Sequence, residues 1–205
     1  MRVVVFGATR GIGLEVVKEL VAQGHAVRAF ARDPSALAGL PVEVAHGDVL
    51  RPETVRAAVA GMEAVVSALG QGTSNAPTTH MSEGTAAILA AMKEHGVERG
   101  VFVTSLGACD DPDEPFLFRF FGRRMFGNIF ADHRRLEANV RASGTAYTLV
   151  RPGALTNAPG KGTYRVCRDR RARGANTIAR ADVAHFIVRE LVAREHVGEA
   201  VALGY

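Results

Sequence analysis

Cysteine is nearly absent from the sequence, which has only Cys109 and Cys167 among its 205 residues, and the two form no Cys-x-x-Cys pair. Neither a disulfide framework nor a cysteine-based metal site is therefore indicated. No apolar run is long enough to cross a bilayer, and residues 1–7 enter a strand pattern at once, which leaves no room for a signal peptide. We therefore expect a protein of the reducing cytoplasm without a metal site.

The sequence also lacks repeats, low-complexity segments and an interdomain linker. With 205 residues, 47% of them hydrophobic, it suits one α/β domain with a sizeable core, which we expect to span residues 1–205. The formal net charge of +4 fits the attraction of a polyanionic cofactor. It gives no argument for a nucleic-acid partner.

Strand and helix patterns alternate along the chain. The predicted strands are residues 3–6, 26–31, 42–45, 64–69, 101–104, 147–150 and 200–203. The predicted helices are residues 12–23, 52–60, 81–95, 128–142 and 180–194. This alternation predicts a doubly wound parallel sheet with helices on both faces.

A glycine-rich turn, residues 7–13, lies between the first strand and the first helix. Glycines there let the chain turn tightly, bring the backbone close to a pyrophosphate and pack the helix on the sheet. The helix N-terminus directs its amides and its positive end at the phosphates. An ordinary βα turn is the alternative, but the strand-turn-helix context predicts a Rossmann-type dinucleotide site with contacts from Gly7, Thr9, Arg10, Gly11, Ile12 and Gly13.

The end of the second strand favours NADP over NAD. An acid there usually holds the ribose 2′-hydroxyl of NAD, whereas a base meets the 2′-phosphate of NADP. Here Arg32 follows the strand and Arg10 lies in the glycine turn, so two guanidiniums could converge on one phosphate. Asp33 competes with this interpretation, but Asp-Pro-Ser is also a helix start with Asp33 as its cap. We predict NADPH, with a solvated surface charge as the alternative role of Arg32.

Further cofactor contacts follow from the rule that doubly wound sheets bind ligands at the carboxyl ends of their strands. We expect the adenine after the third strand, the pyrophosphate and ribose after the fourth, and the nicotinamide after the fifth and sixth. These positions supply Asp48, Val49, Ala68, Leu69, Gly70, Thr104, Ser105, Pro152, Gly153 and Ala154.

These segments together resemble the short-chain dehydrogenase/reductase superfamily in its atypical branch. More closely, the chain resembles the biliverdin reductase B family of NADPH-dependent flavin reductases. The resemblance spans nearly the whole chain and is carried by stretches that include residues 6–9, 32–33, 47–50, 77–79, 81–84, 104–105, 132–133, 141–144 and 182–186. It implies a Rossmann fold and the NADPH-dependent reduction of flavins, and sometimes of linear tetrapyrroles, bound as loose substrates.

Three features depart from this family's pattern. The middle glycine moves one place to Gly11 and Arg10 takes the vacated position, which is the spacing of the classical short-chain dehydrogenases. The family's second phosphate-binding arginine, four residues after Arg32, is Ala36 here, and Arg10 could replace it. A histidine that some members carry after the sixth strand is Ala154, which disfavours tetrapyrrole reduction more than flavin reduction.

The general acid of the classical members is also missing. They reduce carbonyls with a Tyr-x-x-x-Lys pair, but this chain has only Lys18, Lys93 and Lys161, and none follows a tyrosine at that spacing. His133 falls about where the resemblance places the lysine. Ordinary alcohol–ketone chemistry by that mechanism is therefore not expected.

Hydride transfer to a flavin needs less from the protein, because water can supply the proton and the protein stacks and orients the rings. We expect secondary catalytic roles for Ser105 and His133. Ser105 would orient the nicotinamide or the substrate, with a structural hydroxyl as the alternative. His133, titratable near neutral pH, would contact the nicotinamide ribose or donate a proton, with a solvent-facing helix histidine as the alternative.

The substrate side is marked by residues 116–130, which hold six of the ten phenylalanines and three arginines. A flap over residues 106–130 with this composition suits a planar anionic ligand such as FMN. We predict substrate contacts from Phe116, Phe118, Arg119 and, in the facing loop, Asn75. The alternatives are packing on the body, a dimer interface, or contact with a membrane or quinone.

The sequence therefore predicts an NADPH-dependent reductase that acts on a small planar substrate, with a flavin as the first candidate. A quinone or biliverdin reductase and a non-catalytic NADP-sensing regulator are the alternatives. We expect a monomer or weak homodimer.

Overall fold

The structure is a computed structural model that describes residues 1–71, 76–108, 123–168 and 176–205. Its helices in these ranges are α1 (Gly11–Ala22), α2 (Pro52–Val59), α3 (His80–His95), α4 (Arg123–Ala142) and α5 (Arg180–Ala193). Its strands are β1 (Arg2–Phe6), β2 (Ala26–Ala31), β3 (Glu43–His46), β4 (Ala64–Ser67), β5 (Arg99–Val103), β6 (Ala146–Pro152), β7 (Ala154–Thr156), β8 (Arg165–Arg168), β9 (Thr177–Ala179) and β10 (Glu199–Gly204). Single 3-10 turns form at Ser35–Leu37 and Leu106–Ala108.

Eight strands form one sheet in the order β3-β2-β1-β4-β5-β6-β10-β8. All neighbours run parallel except β8, which pairs antiparallel with β10. The predicted doubly wound parallel sheet is confirmed, and β8 adds an antiparallel edge that the sequence analysis did not predict. Because β2 and β4 flank β1 on opposite sides, the strand order reverses at β1, and its carboxyl end is the expected ligand crevice.

Two hydrophobic cores lie on the two faces of the sheet. Alternate residues of β1 point to opposite faces, so Val3 and Val5 join one core while Val4 and Phe6 join the other. Helices α1 and α5 pack together on the first face, and α2, α3 and α4 cover the second. Burial on both faces explains why β1 is a continuous apolar run. None of these helices is both long and apolar enough to span a membrane.

The predicted flap falls partly outside the described residues, because residues 109–122 and 72–75 are not among them. The substrate predictions for Asn75, Phe116, Phe118 and Arg119 therefore lie outside the structure. Residues 123–130 belong to α4, which begins five residues before the predicted helix start. Phe130 on α4 is buried, and its ring would lie 2.3 Å from a Cβ on Gly107. This end of the Phe-rich stretch packs on the body of the protein.

Candidate functional site

A cavity of about 870 Å³ opens at the carboxyl ends of the central strands. This volume falls in the range of small-molecule sites. Of the predicted cofactor contacts, those that line the cavity are Gly7, Thr9, Arg10, Gly11, Ile12, Arg32, Asp48, Val49, Ala68, Leu69, Gly70, Thr104, His133 and Pro152. The structure therefore brings residues from seven separate segments of the chain to one place. Six of these segments lie at the carboxyl ends of strands, as the strand-end rule predicts, and the seventh is His133 on α4.

The glycine turn is shaped by two close approaches. Gly7 has a positive φ of 78°, and a Cβ there would lie 2.5 Å from the Ala68 carbonyl oxygen at the end of β4. A Cβ on Gly13 would lie 2.1 Å from the Gly7 carbonyl oxygen. Both contacts are with backbone, so neither position tolerates a side chain without displacement of the turn. Gly13 itself lies behind the turn and does not line the cavity.

The start of α1 has no compensating negative charge. No side chain caps the helix, and its first turn contains no acid. The unpaired amides and the positive end of the helix dipole therefore face the cavity. This arrangement is the usual electrostatic basis for binding a phosphate at a helix N-terminus.

Arg10 and Arg32 line the same cavity, and both are exposed. Neither has an ion-pair partner among the described residues. Asp33 is engaged locally, since its Oδ1 accepts the Ser35 N–H at 2.9 Å. That hydrogen bond holds the pKa of the Asp33 carboxyl below its ordinary value. The acid thus stabilises the start of the Ser35–Leu37 turn, close to its expected role as a helix cap, and the two arginines remain available to an anion.

A buried polar network lies beneath the cavity at the end of β5. The Thr104 hydroxyl donates to Glu137 Oε1 at 2.9 Å, and Arg151 Nε donates to the same oxygen at 2.8 Å. All three side chains are buried. Because the Thr104 hydroxyl already serves a buried carboxylate, we expect it to hold the strand end in position.

The Ser105 hydroxyl forms a local hydrogen bond of the kind expected for its alternative role as a structural hydroxyl. Its Oγ accepts the Gly107 N–H at 3.2 Å at the start of the Leu106–Ala108 turn, and the residue is not part of the cavity wall. Gly153 and Ala154 are also outside that wall; their amides bond to the carbonyls of Leu203 and Asn176. Because the Ser105 hydroxyl is engaged within its own turn and lies outside the wall, its catalytic role stays a prediction.

His133 lies in the cavity wall on α4 and is only 7% exposed. The interpretation as a solvent-facing helix histidine is therefore wrong. Burial lowers the pKa of its imidazole to about 4, although the carboxylates of Asp132 and Glu137 favour the charged form. The expectation of titration near neutral pH is thus corrected. Nδ1 is buried without a hydrogen-bond partner in the described part of the chain, so the ring retains an unused polar atom.

Asp132 fixes the helix that carries His133. Its fully buried carboxylate accepts the backbone N–H groups of Met81 at 2.9 Å and Ser82 at 3.3 Å, together with the Ser82 hydroxyl. A carboxylate from α4 therefore occupies the positive end of α3. Because His80 and Met81 also line the cavity, this contact sets one wall of the site.

The low pKa of His133 predicts an acid-sensitive stability. The unfolded imidazole titrates near its ordinary value, so between about pH 4 and pH 6.5 the unfolded state binds a proton that the folded state does not. The free energy of unfolding therefore decreases as the pH is lowered through this range. At pH 7 both states are neutral and nothing is lost. We expect wild type to lose about 2–3 kcal/mol more than His133→Gln between pH 7 and about pH 4.5 in urea unfolding. Equal losses in the two proteins would contradict the buried neutral imidazole.

Sequence reasoning missed several cavity residues. Those most relevant to chemistry are Gln71, His80, Ile129, Leu155, Asn157 and Arg180. Arg180 Nη1 donates to Asn157 Oδ1 at 2.7 Å. The available signal was topological, since α5 packs on α1 and its start therefore lies near the glycine turn. In the described ranges, no three His, Cys, Asp or Glu residues are grouped closely enough to hold a metal ion.

The chain is similar to known proteins over most of its length. The chain is 28% identical over 199 residues to YhfK of Bacillus subtilis strain 168, named an uncharacterized sugar epimerase, which covers 93% of this chain and 88% of that protein. It is 32% identical over 156 residues to an NAD(P)H azoreductase of Xenophilus azovorans, covering 74% of this chain and 47% of the azoreductase. The solved structure of ChuY, an anaerobillin reductase from Escherichia coli O157:H7, shares the fold with a TM-score of 0.83 at 23% identity, over 99% of this chain and 96% of that one.

A family model described as NAD(P)H-binding matches residues 7–194. The match begins at the first glycine of the turn and includes α5, so it contains every cavity residue discussed above. The resemblance to the atypical short-chain dehydrogenases/reductases is confirmed. The chain therefore belongs to the NAD(P)H-binding family.

Proposed function

We propose that the protein uses NADPH to reduce a planar acceptor by direct hydride transfer, with a flavin bound as substrate as the first candidate. The observation that carries this proposal is the polarity of the cavity. On the side of β1 and β2 it presents Arg10 and Arg32, which have no ion-pair partners among the described residues. On the side of β5, where Thr104 bonds to Glu137 of α4, it presents His133 as a neutral imidazole. The first side suits a phosphorylated nucleotide, and the second suits an uncharged ring system.

Proximity supplies most of the catalysis in this proposal. A bound NADPH would supply hydride from its nicotinamide, and the walls of the cavity hold the acceptor ring against it. Ile129 and Leu155 contribute apolar surface, and Thr104 fixes the strand end beneath. A flavin accepts hydride at an electron-poor ring nitrogen and needs only water as its proton source.

His133 is proposed to position the nicotinamide ribose or the acceptor through a hydrogen bond. With a pKa of about 4 it is not a protonated acid at neutral pH. Its unpartnered Nδ1 supports a hydrogen bond to a bound molecule. His80 is the second histidine of the wall and offers another contact at the start of α3.

Two of the similar proteins are named for reductions, one of azo compounds and one of anaerobillin. Both names support a reductase, and neither identifies the acceptor of this chain. The non-catalytic regulator remains a second candidate because Ser105 is engaged locally and no Tyr-x-x-x-Lys pair exists.

The test is steady-state oxidation of NADPH with FMN, riboflavin, a benzoquinone and biliverdin as separate acceptors. We expect turnover with the flavins, and a smaller rate with biliverdin because Ala154 replaces the histidine of some relatives. His133→Leu, which removes both ring nitrogens at similar bulk, should reduce kcat by about tenfold, as expected for loss of one positioning hydrogen bond. Tight NADP+ binding without turnover of any acceptor would favour the regulator instead.

A further inference from the structure

Arg180, the first residue of α5, lies over the glycine turn. Its Nε is 3.8 Å from the position that a Cβ on Gly11 would occupy, and the residue lines the same cavity as Arg10 and Arg32. The close packing of α5 on α1 brings the starts of the two helices together. A cation from the C-terminal part of the chain therefore lies beside the phosphate-binding turn.

The charges around Arg180 are unbalanced. Among the described residues no carboxylate lies within ion-pair distance of its guanidinium. Glu15, which shares an adjoining cleft with it, pairs with Lys18 at 2.9 Å. The first turn of α1 carries no acid. A half-buried cation and the positive end of a helix thus face one space, which is favourable only when an anion lies between them.

Arg180 is also held in place by a neutral partner. Its Nη1 donates to Asn157 Oδ1 at 2.7 Å. An amide acceptor orients the guanidinium without reducing its charge, and the remaining donors of the fork stay available. This is the arrangement expected of a residue that binds an anion in a fixed place.

We propose that Arg180 binds the diphosphate of the dinucleotide together with the amides of the glycine turn. This role differs from that of Arg10 and Arg32, which meet the 2′-phosphate. Arg180 therefore contributes to affinity for NADP+ and NAD+ alike and leaves the choice between them unchanged. The inference rests on the dinucleotide part of the proposed function and is independent of the acceptor.

The test separates the two phosphates by calorimetric or NMR titration with NADP+, NAD+ and adenosine 2′-monophosphate. Arg180→Gln should lower the affinities for NADP+ and NAD+ by the same factor of about 10. This is the loss expected for one partly exposed charge-assisted contact. Its affinity for adenosine 2′-monophosphate, which has no diphosphate, should stay within about twofold of wild type. Arg180→Lys, which keeps the charge, should recover part of the loss.

Arg189→Gln is the matched control, because Arg189 is an exposed arginine on the same helix that pairs with Glu195 outside the cavity. It should leave all three affinities unchanged. Unchanged NADP+ affinity in Arg180→Gln would overturn the proposal. An equal loss of affinity for adenosine 2′-monophosphate would also overturn it. If Arg180→Gln weakens NADP+ and NAD+ binding equally but wild type reduces no acceptor, the proposed reductase is rejected while the role of Arg180 in diphosphate binding is supported. A wild type that binds neither dinucleotide would reject both.

Discussion

Arg32→Ala is expected to weaken NADP+ binding by about 10- to 100-fold while NAD+ affinity stays within about twofold of wild type. Arg32 lines the cavity, is exposed and has no ion-pair partner in the described ranges. NAD+ carries a hydroxyl in place of the 2′-phosphate that we expect Arg32 to bind, so only NADP+ binding should weaken. Arg10→Ala should act in the same direction, because Arg10 lines the same cavity and the two arginines follow the neighbouring strands β1 and β2.

The double variant measures how the two arginines share this phosphate. We expect Arg10→Ala with Arg32→Ala to lose about 100-fold or more in NADP+ affinity, with a weaker dependence on salt. Arg56→Ala is the control, because Arg56 is exposed on α2 and pairs with Glu94 away from the cavity. Equal losses for both dinucleotides, or no loss at all, would show that these arginines do not select NADP.

Gly13→Ala is expected to abolish dinucleotide binding at concentrations that saturate wild type. The new Cβ would lie 2.1 Å from the Gly7 carbonyl oxygen, and this atom belongs to the turn itself. Helix α1 must therefore move away from the turn, and the amides that face the phosphates move with it. Overpacking of this kind costs about 1–3 kcal/mol, which exceeds the gain of about 1 kcal/mol from replacing glycine in a helix.

Gly24→Ala provides the control for this substitution. Gly24 follows the same helix, and a Cβ there would meet nothing within 4 Å. Its positive φ of 75° makes alanine cost about 1 kcal/mol of stability, but the glycine turn is untouched. Urea unfolding and NADPH fluorescence titration of both variants should show two destabilised proteins, of which only Gly24→Ala binds. Normal binding by Gly13→Ala would show that the close approach is not required.

The order of the five helices and of seven strands follows from local sequence patterns, and so does the site at the start of α1; β7, β8 and β9 were not predicted. The turn at residues 7–13 could be predicted because its glycines meet constraints imposed by the adjacent strand and helix. The structure adds that Gly7 is also constrained by Ala68, a partner from a distant strand.

The side chains on α4 could not be placed in the same way. His133 and Asp132 are polar neighbours on a helix with many charges, a pattern typical of a solvated face. Their burial depends on contact between α4 and α3, where Asp132 binds the amides at the start of α3. Arg180 was missed for the same reason, because only the packing of α5 on α1 brings it to the glycine turn.

The edge strand β8 shows a limit of composition as a guide. Its arginine-rich sequence is typical of a solvated hairpin, and three of its four residues are indeed exposed. The pattern did not predict that the segment pairs with β10, nor that Arg168 Nε lies 3.0 Å from Glu199 Oε2. An edge strand is open to water on one side and tolerates such charge. A strand of this kind carries no apolar run by which it could be recognised.

The central claim is direct hydride transfer from NADPH to a flavin held in this cavity. Anaerobic single-turnover mixing of the protein, FMN and NADPH deuterated at the transferred position of C4 tests it most directly. We expect FMN reduction and NADPH oxidation to proceed at one rate, and deuterium to slow both by the same primary isotope effect. NADPH oxidation that leaves FMN oxidised, or an FMN reduction rate unchanged when Arg10 and Arg32 are both replaced at subsaturating NADPH, would contradict it.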